Sequence, residues 1–507
     1  MSIKIFFYIY IPLKIVCIMN QNLTKVFSWQ DRSIQKDIFH IGVLYFILTS
    51  FYSLWHYEEK FIVDGYAHIF HITNFKTFVS AAQREIMWIQ QLVPVIMANL
   101  GASIKTVMLS YVSSVFILFF LGFYIVIQYF RDAPSAILYL LIHYKGDPYN
   151  YFMMVEELLP GACVVVILLS AIRNFDVFPN RLTGIIFLFV LILLVVRSHP
   201  LAVICLGLSI PILFFSNRDF FKKEWKLVLL ALMSGIIFLI LKILFLNQYD
   251  IETISNMKSY RQSILEMFNP QYLSGLLFYT FYTRKFFTVL LGALLVLLWI
   301  KNDFLKIALI TSLILLGISI FNMTVRKEEF DSTDLIIMTL DSRSLQVRMV
   351  AFVAFCYFFL PYIKSLMHYK VLKTSIFFLS IIGLLQVFAV RQDSEKYLTQ
   401  ARVLIKECRK VQIRKAIVRL EDLDGSLPIH SNCYQDIMVI SSLENADSTI
   451  QMVYHDNTGS PNLSNMAEDS ILLQFGSHPF PINGLDKNLY RLPSEPYRFI
   501  SIKEKIN

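Results

Sequence analysis

Apolar residues in this chain fall in long blocks. Runs that reach or approach the length of a membrane span occupy residues 38–55, 102–130, 133–143, 160–172, 182–196, 200–216, 227–246, 287–300, 304–321, 349–363 and 374–390. A span takes roughly 20 predominantly apolar residues, so the pattern predicts a polytopic α-helical membrane protein of about 11 spans. The segment 56–101, between the first two runs, has a different period. HIFHITNFKTFVSAAQREIMWIQQLVPVIM repeats apolar residues at three- and four-residue spacing, which predicts one or two amphipathic helices lying along the membrane surface. The pattern changes again after residue 390. A helix at about 394–417 leads into short β-rich runs, DIMVISSL, TIQMVYH, SILLQF and YRFISI, separated by the turn clusters DNTGSPN, GSHPFP and LPSEP. The expected organisation is an N-terminal segment 1–37, a membrane domain 38–390 with its patterned first loop 56–101, and a soluble α/β domain 391–507. No internal repeat or low-complexity stretch interrupts it.

Charge orients the spans. Lys25, Arg32, Lys36, Arg131, Arg173, Arg181, the cluster Arg218, Lys222, Lys223 and Lys226, then Lys301, Lys306, Lys364, Lys370 and Lys373 all fall on one side if the N-terminus is cytoplasmic. An odd number of spans then puts the tail, and the long segments 56–101, 144–159, 247–286 and 322–348, on the extracytoplasmic side. With 56% hydrophobic and 16% charged residues, the chain is well short of the roughly 25% charge of a soluble domain. The net charge of +9 is accounted for by these short basic loops, so no nucleic-acid partner is expected. Six cysteines show no CxxC spacing or Cys/His cluster. Cys17, Cys163, Cys205 and Cys356 read as small apolar residues, and Cys408 and Cys433 as a pair that can bridge only in an oxidising compartment. The opening MSIKIFFYIYIPLKIVCI lacks a small-residue cleavage site, and reads as an interfacial helix or as sequence upstream of a true start at Met19.

Several polar positions can carry chemistry. Asp64, in VDGYAHIFH, follows the first run and reads either as the cap of a helix opening at Gly65 or as a base at the bilayer edge that deprotonates an acceptor hydroxyl. Glu156 and Glu157 open a run on the same side. They read as helix N-terminal carboxylates or as a second acidic position facing Asp64, able to share a divalent cation. Asp147 is a weaker candidate for that place. Arg343 and Arg348, in LDSRSLQVRMV, are either interfacial side chains or a bidentate grip on phosphate. Arg84, Arg197 and His199 are lesser candidates of the same kind, and a turn histidine before Pro200 also has a structural reading. No Walker motif, GxGxxG or GxSxG is present, and no run carries the polar series of an ion relay.

In layout, residues 38–390 resemble the glycosyltransferase-C superfamily of polytopic enzymes that use polyprenyl-phosphate-linked sugars. The likeness rests on Asp64 followed by Tyr66 early in the first extracytoplasmic loop, and on the amphipathic loop running into QQLVPVIMANLGAS. It rests also on the basic His-Pro turn RSHP at 197–200 and on the soluble domain that ends the chain. The resemblance implies that Asp64 is the catalytic base or a metal-linked carboxylate, supported by Glu156 or Glu157. Tyr66, Arg84, His199, Arg343 and Arg348 are then expected to contact substrate. The implied donor is a polyprenyl-phosphate-linked sugar and the acceptor a lipid, glycan or protein, at the outer face of a cell inner membrane and beside membrane lipid. The metal requirement stays open, with a divalent cation as the candidate cofactor. The rivals are a polysaccharide polymerase or ligase, a flippase-type transporter of envelope glycans, and a non-catalytic scaffold. If the site exists, Asp64, Glu156, Glu157, Arg343 and Arg348 converge within roughly 10–12 Å at one outward cavity.

Overall fold

The structure, a computed structural model, describes residues 32–61, 65–79, 84–143, 157–216, 285–324, 345–363, 369–419, 434–455, 467–473 and 476–500, with isolated positions between 225 and 265. Helices dominate it, with a small sheet region near the C-terminus. Helix α1 (Arg32–Trp55) buries Ile34, Ile38, Ile41, Tyr45 and Phe46 along one stripe and exposes Leu44, Ile47, Leu48, Phe51 and Trp55 on the other. A predominantly apolar helix with one face inward and one outward suits a lipid-bathed bundle. A 3₁₀ turn (Tyr57–Lys60), α2 (Gly65–Phe75) and α3 (Ile86–Asn99) form the described parts of the first loop. Helix α4 (Ile104–Tyr124) starts at Ser103, whose hydroxyl accepts the Thr106 N–H, and ends in a π turn (Ile125–Tyr129). It runs antiparallel to α1, with Tyr124 against Phe39 and Phe123 against Phe46. Gly42 permits this approach: a Cβ there would lie 2.2 Å from the Phe123 ring.

Helices α5 (Ala133–Leu141), α6 (Leu158–Arg173), α7 (Arg181–Val196) and α8 (Pro200–Ser216) follow as packed neighbours. After α9 (Lys285–Ile300) and α10 (Phe304–Thr324), helix α11 (Leu345–Ala354) passes through a second π turn (Phe355–Phe359) into α12 (Leu360–Ile363), its first half lying along α8. Four helices are long and apolar enough to cross a membrane among the described residues: Arg32–Trp55, Ile104–Tyr129, Phe304–Phe321 and Leu345–Tyr362. Ile86–Asn99, Leu158–Arg173, Arg181–Val196, Pro200–Ser216 and Thr288–Ile300 are apolar but shorter. The described helices therefore do not establish the expected 11 spans. The run at 227–246 lies largely outside the described residues.

Helix α13 (Tyr369–Lys410) is 42 residues long and contains both the last apolar run and the helix expected to begin near 394. It lies beside α1 and runs the same way, with Lys373 paired to Asp37 at one end and Phe388 against Tyr52 at the other. Beyond it, β1 (Lys415–Arg419), β2 (Gln451–His455) and β5 (Arg498–Phe499) make a parallel sheet in the order β2-β1-β5, and β3 (Ser470–Leu473) pairs antiparallel with β4 (Gly476–Pro481). Strand β1 is central, and even its Lys415 is buried, donating to the Glu468 and Ser470 carbonyls. DIMVISSL corrects the strand reading: it lies in helix α14 (Tyr434–Ser442), where Ser441 and Ser442 return their hydroxyls to the Met438 carbonyl. Ile437, Met438, Val439 and Ile440 are all buried, so no period showed, and an unbroken apolar run fits helix as well as strand. Cys408 is a buried free thiol, and Cys433 lies outside the described residues.

The tail docks on the first loop. Thr73 and Tyr490 share a hydroxyl contact of 2.6 Å, and the Asp486 N–H donates to Asn74 Oδ1 at 2.7 Å. Lys76 pairs with Asp486, and Phe70 and Phe75 meet Tyr490 and Phe480. Arg391 forks onto both oxygens of Glu59, and Arg402 reaches Glu58. As a result α2 is buried over nearly its whole length. It does not lie open on a membrane surface as its pattern predicted, because the tail covers the face that amphipathicity left over.

Candidate functional site

Polar side chains gather where α3, α6 and α8 begin. The Ile86 N–H, first in α3, donates to the Arg197 carbonyl at 3.2 Å, which joins the first loop to the turn between α7 and α8. Glu85 and Arg197 add an ion pair at 2.9 Å across the same junction. One residue earlier, Arg84 Nη1 meets Glu157 Oε2 at 3.0 Å, with both side chains largely buried. Glu157 occupies the N-cap position of α6 without capping it, so its carboxylate is turned to Arg84 and not to its own helix. One turn further, Gly161 lets Ser198 and Ala202 approach: a Cβ there would sit 2.4 Å from Ser198 Oγ. His199 accepts the Leu201 N–H on Nδ1 at 3.2 Å, which closes the start of α8. That bond leaves Nε2 to carry the proton of the neutral ring.

Arg348 lies near the start of α11, 2% exposed, against α8 and within electrostatic reach of the Cys205 thiol. Gln346 beside it is wholly buried, and its amide meets no hydrogen-bond partner among the described residues. Two residues apart on one helix, the two side chains leave it on different faces. The structure thus brings Arg84 together with Glu157 and places His199 on the adjoining turn, with Arg348 on the helix packed against α8. Asp64, Glu156 and Arg343, with Asp147, lie outside the described residues.

Tyr66 has a different place. It is fully enclosed, its hydroxyl donates to the Glu58 carbonyl at 2.8 Å, and its N–H donates to the Phe61 carbonyl. Burial, then the Glu58 and Asp436 carboxylates, push its phenol well above the usual range. It pins the strand of chain on either side of residues 62–64 and offers no free hydroxyl to a substrate.

Sequence reasoning missed Gln91 and His68. The Gln91 amide accepts the Val79 N–H at 2.7 Å and donates to the Val79 carbonyl at 3.1 Å, so it clips the chain between α2 and α3 just ahead of Arg84. Its nitrogen also approaches His68 Nδ1 at 3.5 Å. Burial draws His68 down to about 3, so the ring is neutral and its Nδ1 accepts. Lys60, at the end of the 3₁₀ turn, is also fully buried, and burial pulls its ammonium well below the usual lysine range. The only available signal for His68 and Gln91 was a polar side chain on the inward stripe of an amphipathic helix. No three His, Cys, Asp or Glu side chains gather as a metal site among the described residues. Compared with protein-family models, curated proteins and solved structures, the chain matches none.

Proposed function

We propose that this chain is a membrane glycosyltransferase that takes a sugar from a polyprenyl-phosphate donor and passes it to a lipid, glycan or protein acceptor at the outer face of the inner membrane. One observation carries the reading: Arg84, Glu157, Arg197 and His199, from three distant segments, meet at one end of a largely apolar bundle, the end to which the tail-covered first loop connects. A polar junction at the edge of a hydrophobic body suits a donor whose chain stays in lipid while its phosphate must be held. In the displacement, the acceptor oxygen bonds to the anomeric carbon and the bond from that carbon to the phosphate oxygen breaks. Asp64 receives the acceptor proton, and the polyprenyl phosphate departs with its charge held by Arg343 and Arg348. Arg84 is paired to Glu157, so it contributes to anion binding only by sharing its donors between carboxylate and phosphate.

The test is transfer of a labelled sugar from a polyprenyl-phosphate donor in membranes expressing Asp64→Asn or Arg348→Ala at the parent level. Loss of about 100-fold or more in the first variant supports the assignment, as removal of a general base does. Full activity in Asp64→Asn sinks it.

A further inference from the structure

At the opposite end of α6 from Glu157 lies a second buried polar cluster, outside the site above. Asp132 is 4% exposed and accepts from four side chains: Ser135 at 2.6 Å, Ser170 at 3.2 Å, Arg173 at 2.9 and 3.1 Å, and Asn174 at 3.1 Å. Ser135 Oγ also meets the Tyr357 hydroxyl at 2.9 Å. The single Ser135 proton is engaged by Asp132, so Tyr357 is the donor in that contact. The Arg173 guanidinium lies over the Tyr357 ring, 4.4 Å from its centroid. The cluster thus ties α5 and α6 to one aromatic residue of the helix that carries Arg348.

Both π turns border this cluster. In the first, the Phe130 N–H bonds to the Ile125 carbonyl and the Asp132 N–H to the Val126 carbonyl, which sets Asp132 at its exit. The second spans Phe355–Phe359, closes with the Leu360 N–H on the Phe355 carbonyl, and holds Tyr357 at its centre. A π turn carries one residue more than the α-helix around it. If it relaxes to α, the helix on one side turns by roughly 100° relative to the other. Tyr357 is nine residues beyond Arg348, roughly 13 Å along the axis.

We propose that the Asp132–Ser135–Arg173–Tyr357 cluster fixes the π register of this helix and so aims Arg348 at α8, making Tyr357 and Asp132 positioning residues for the anion grip; the last clause rests on the function proposed above. Tyr357→Phe removes the hydroxyl and keeps the ring under Arg173. Ser135→Ala removes the same contact from the other side, so the loss of one variant to misfolding leaves the other to decide. Asp132→Asn weakens all the charged arms.

The direct readout is the backbone of this helix. In the full-length protein in detergent, hydrogen–deuterium exchange of the peptides covering 345–363 is followed by mass spectrometry. Exchange there is expected to rise several-fold in Tyr357→Phe or Ser135→Ala while that of α1 stays unchanged. Unchanged exchange at 345–363 in both variants, or a rise spread evenly over all helices, overturns the proposal. In proteins that retain Arg348, Tyr357→Phe is expected to raise KM for the lipid-linked donor more than it lowers kcat, a split that general destabilisation would not give. An exchange response in a protein without transfer activity leaves the register device standing and removes the proposed function instead.

Discussion

Gly161→Ala is a small change with a large expected effect. The added Cβ would lie 2.8 Å from Ala202 Cβ and 2.9 Å from Ser198 Cβ, where ordinary contact begins at 3.4 Å, and 2.4 Å from Ser198 Oγ. The hydroxyl can swing away by changing rotamer. The two Cβ atoms are fixed to backbone, so the 197–202 turn must retreat from α6 by roughly 0.5 Å. Overpacking of this kind costs about 1–3 kcal/mol. The same turn holds the Arg197 carbonyl that anchors Ile86 and the guanidinium that pairs with Glu85, so the retreat reaches Arg84 and Glu157. Denaturant titration of the detergent-solubilised protein should show the stability loss, and Ser198→Gly, which removes two of the three colliding atoms, should recover part of it in the double variant. Transfer activity is expected to fall by up to about a hundredfold, as misplacement on the scale of 1 Å does in other sites. A Gly161→Ala protein as stable as the parent, or a double variant no better than the single, would refute the packing argument.

Arg84→Ala should destabilise by about 3 kcal/mol because it removes the guanidinium that faces the largely buried Glu157 carboxylate, and Arg84→Ala with Glu157→Gln should cost less than that single change. A double-mutant cycle with no coupling would sink this. His68 gives a pH signature. Its folded value of about 3 lies below the ordinary 6.5, so the unfolded chain takes up the proton first. The stability contributed by neutral His68 is whole above about 6.5 and drains as pH falls toward 3. His71, lowered by burial as well, acts in the same direction. His68→Gln should flatten the fall in melting temperature between pH 6.5 and about 5, above the range where most carboxylates titrate. A variant whose acid limb matches the parent would show that His68 is hydrated.

What was legible in the sequence was whatever repeats locally. Apolar blocks located α1, α4, α10 and α11, and three- and four-residue spacing located α2 and α3. What depends on contact between distant residues was not legible. Thr73 and Tyr490, more than four hundred positions apart, decide that the tail covers α2. Arg173 read as a loop cation useful for orientation, yet it is committed to Asp132 and Tyr357. Of the site, Arg84 and Glu157 were each named, but their pairing was not, since charge in sequence does not say which opposite charge it meets. Gln91 escaped because its partners are backbone groups, which no residue pattern records.

The single helix α13 constrains how the chain can change length. Arg391 and Arg402 reach Glu59 and Glu58 from one face because eleven residues make three turns to within about 20°. Inserting or deleting one residue between them would swing everything beyond by roughly 100° and lift the tail off α2. Relatives that keep the docked tail should therefore tolerate substitution along this stretch but show insertions or deletions only in steps close to whole turns, while the surface loops of the tail vary freely in length.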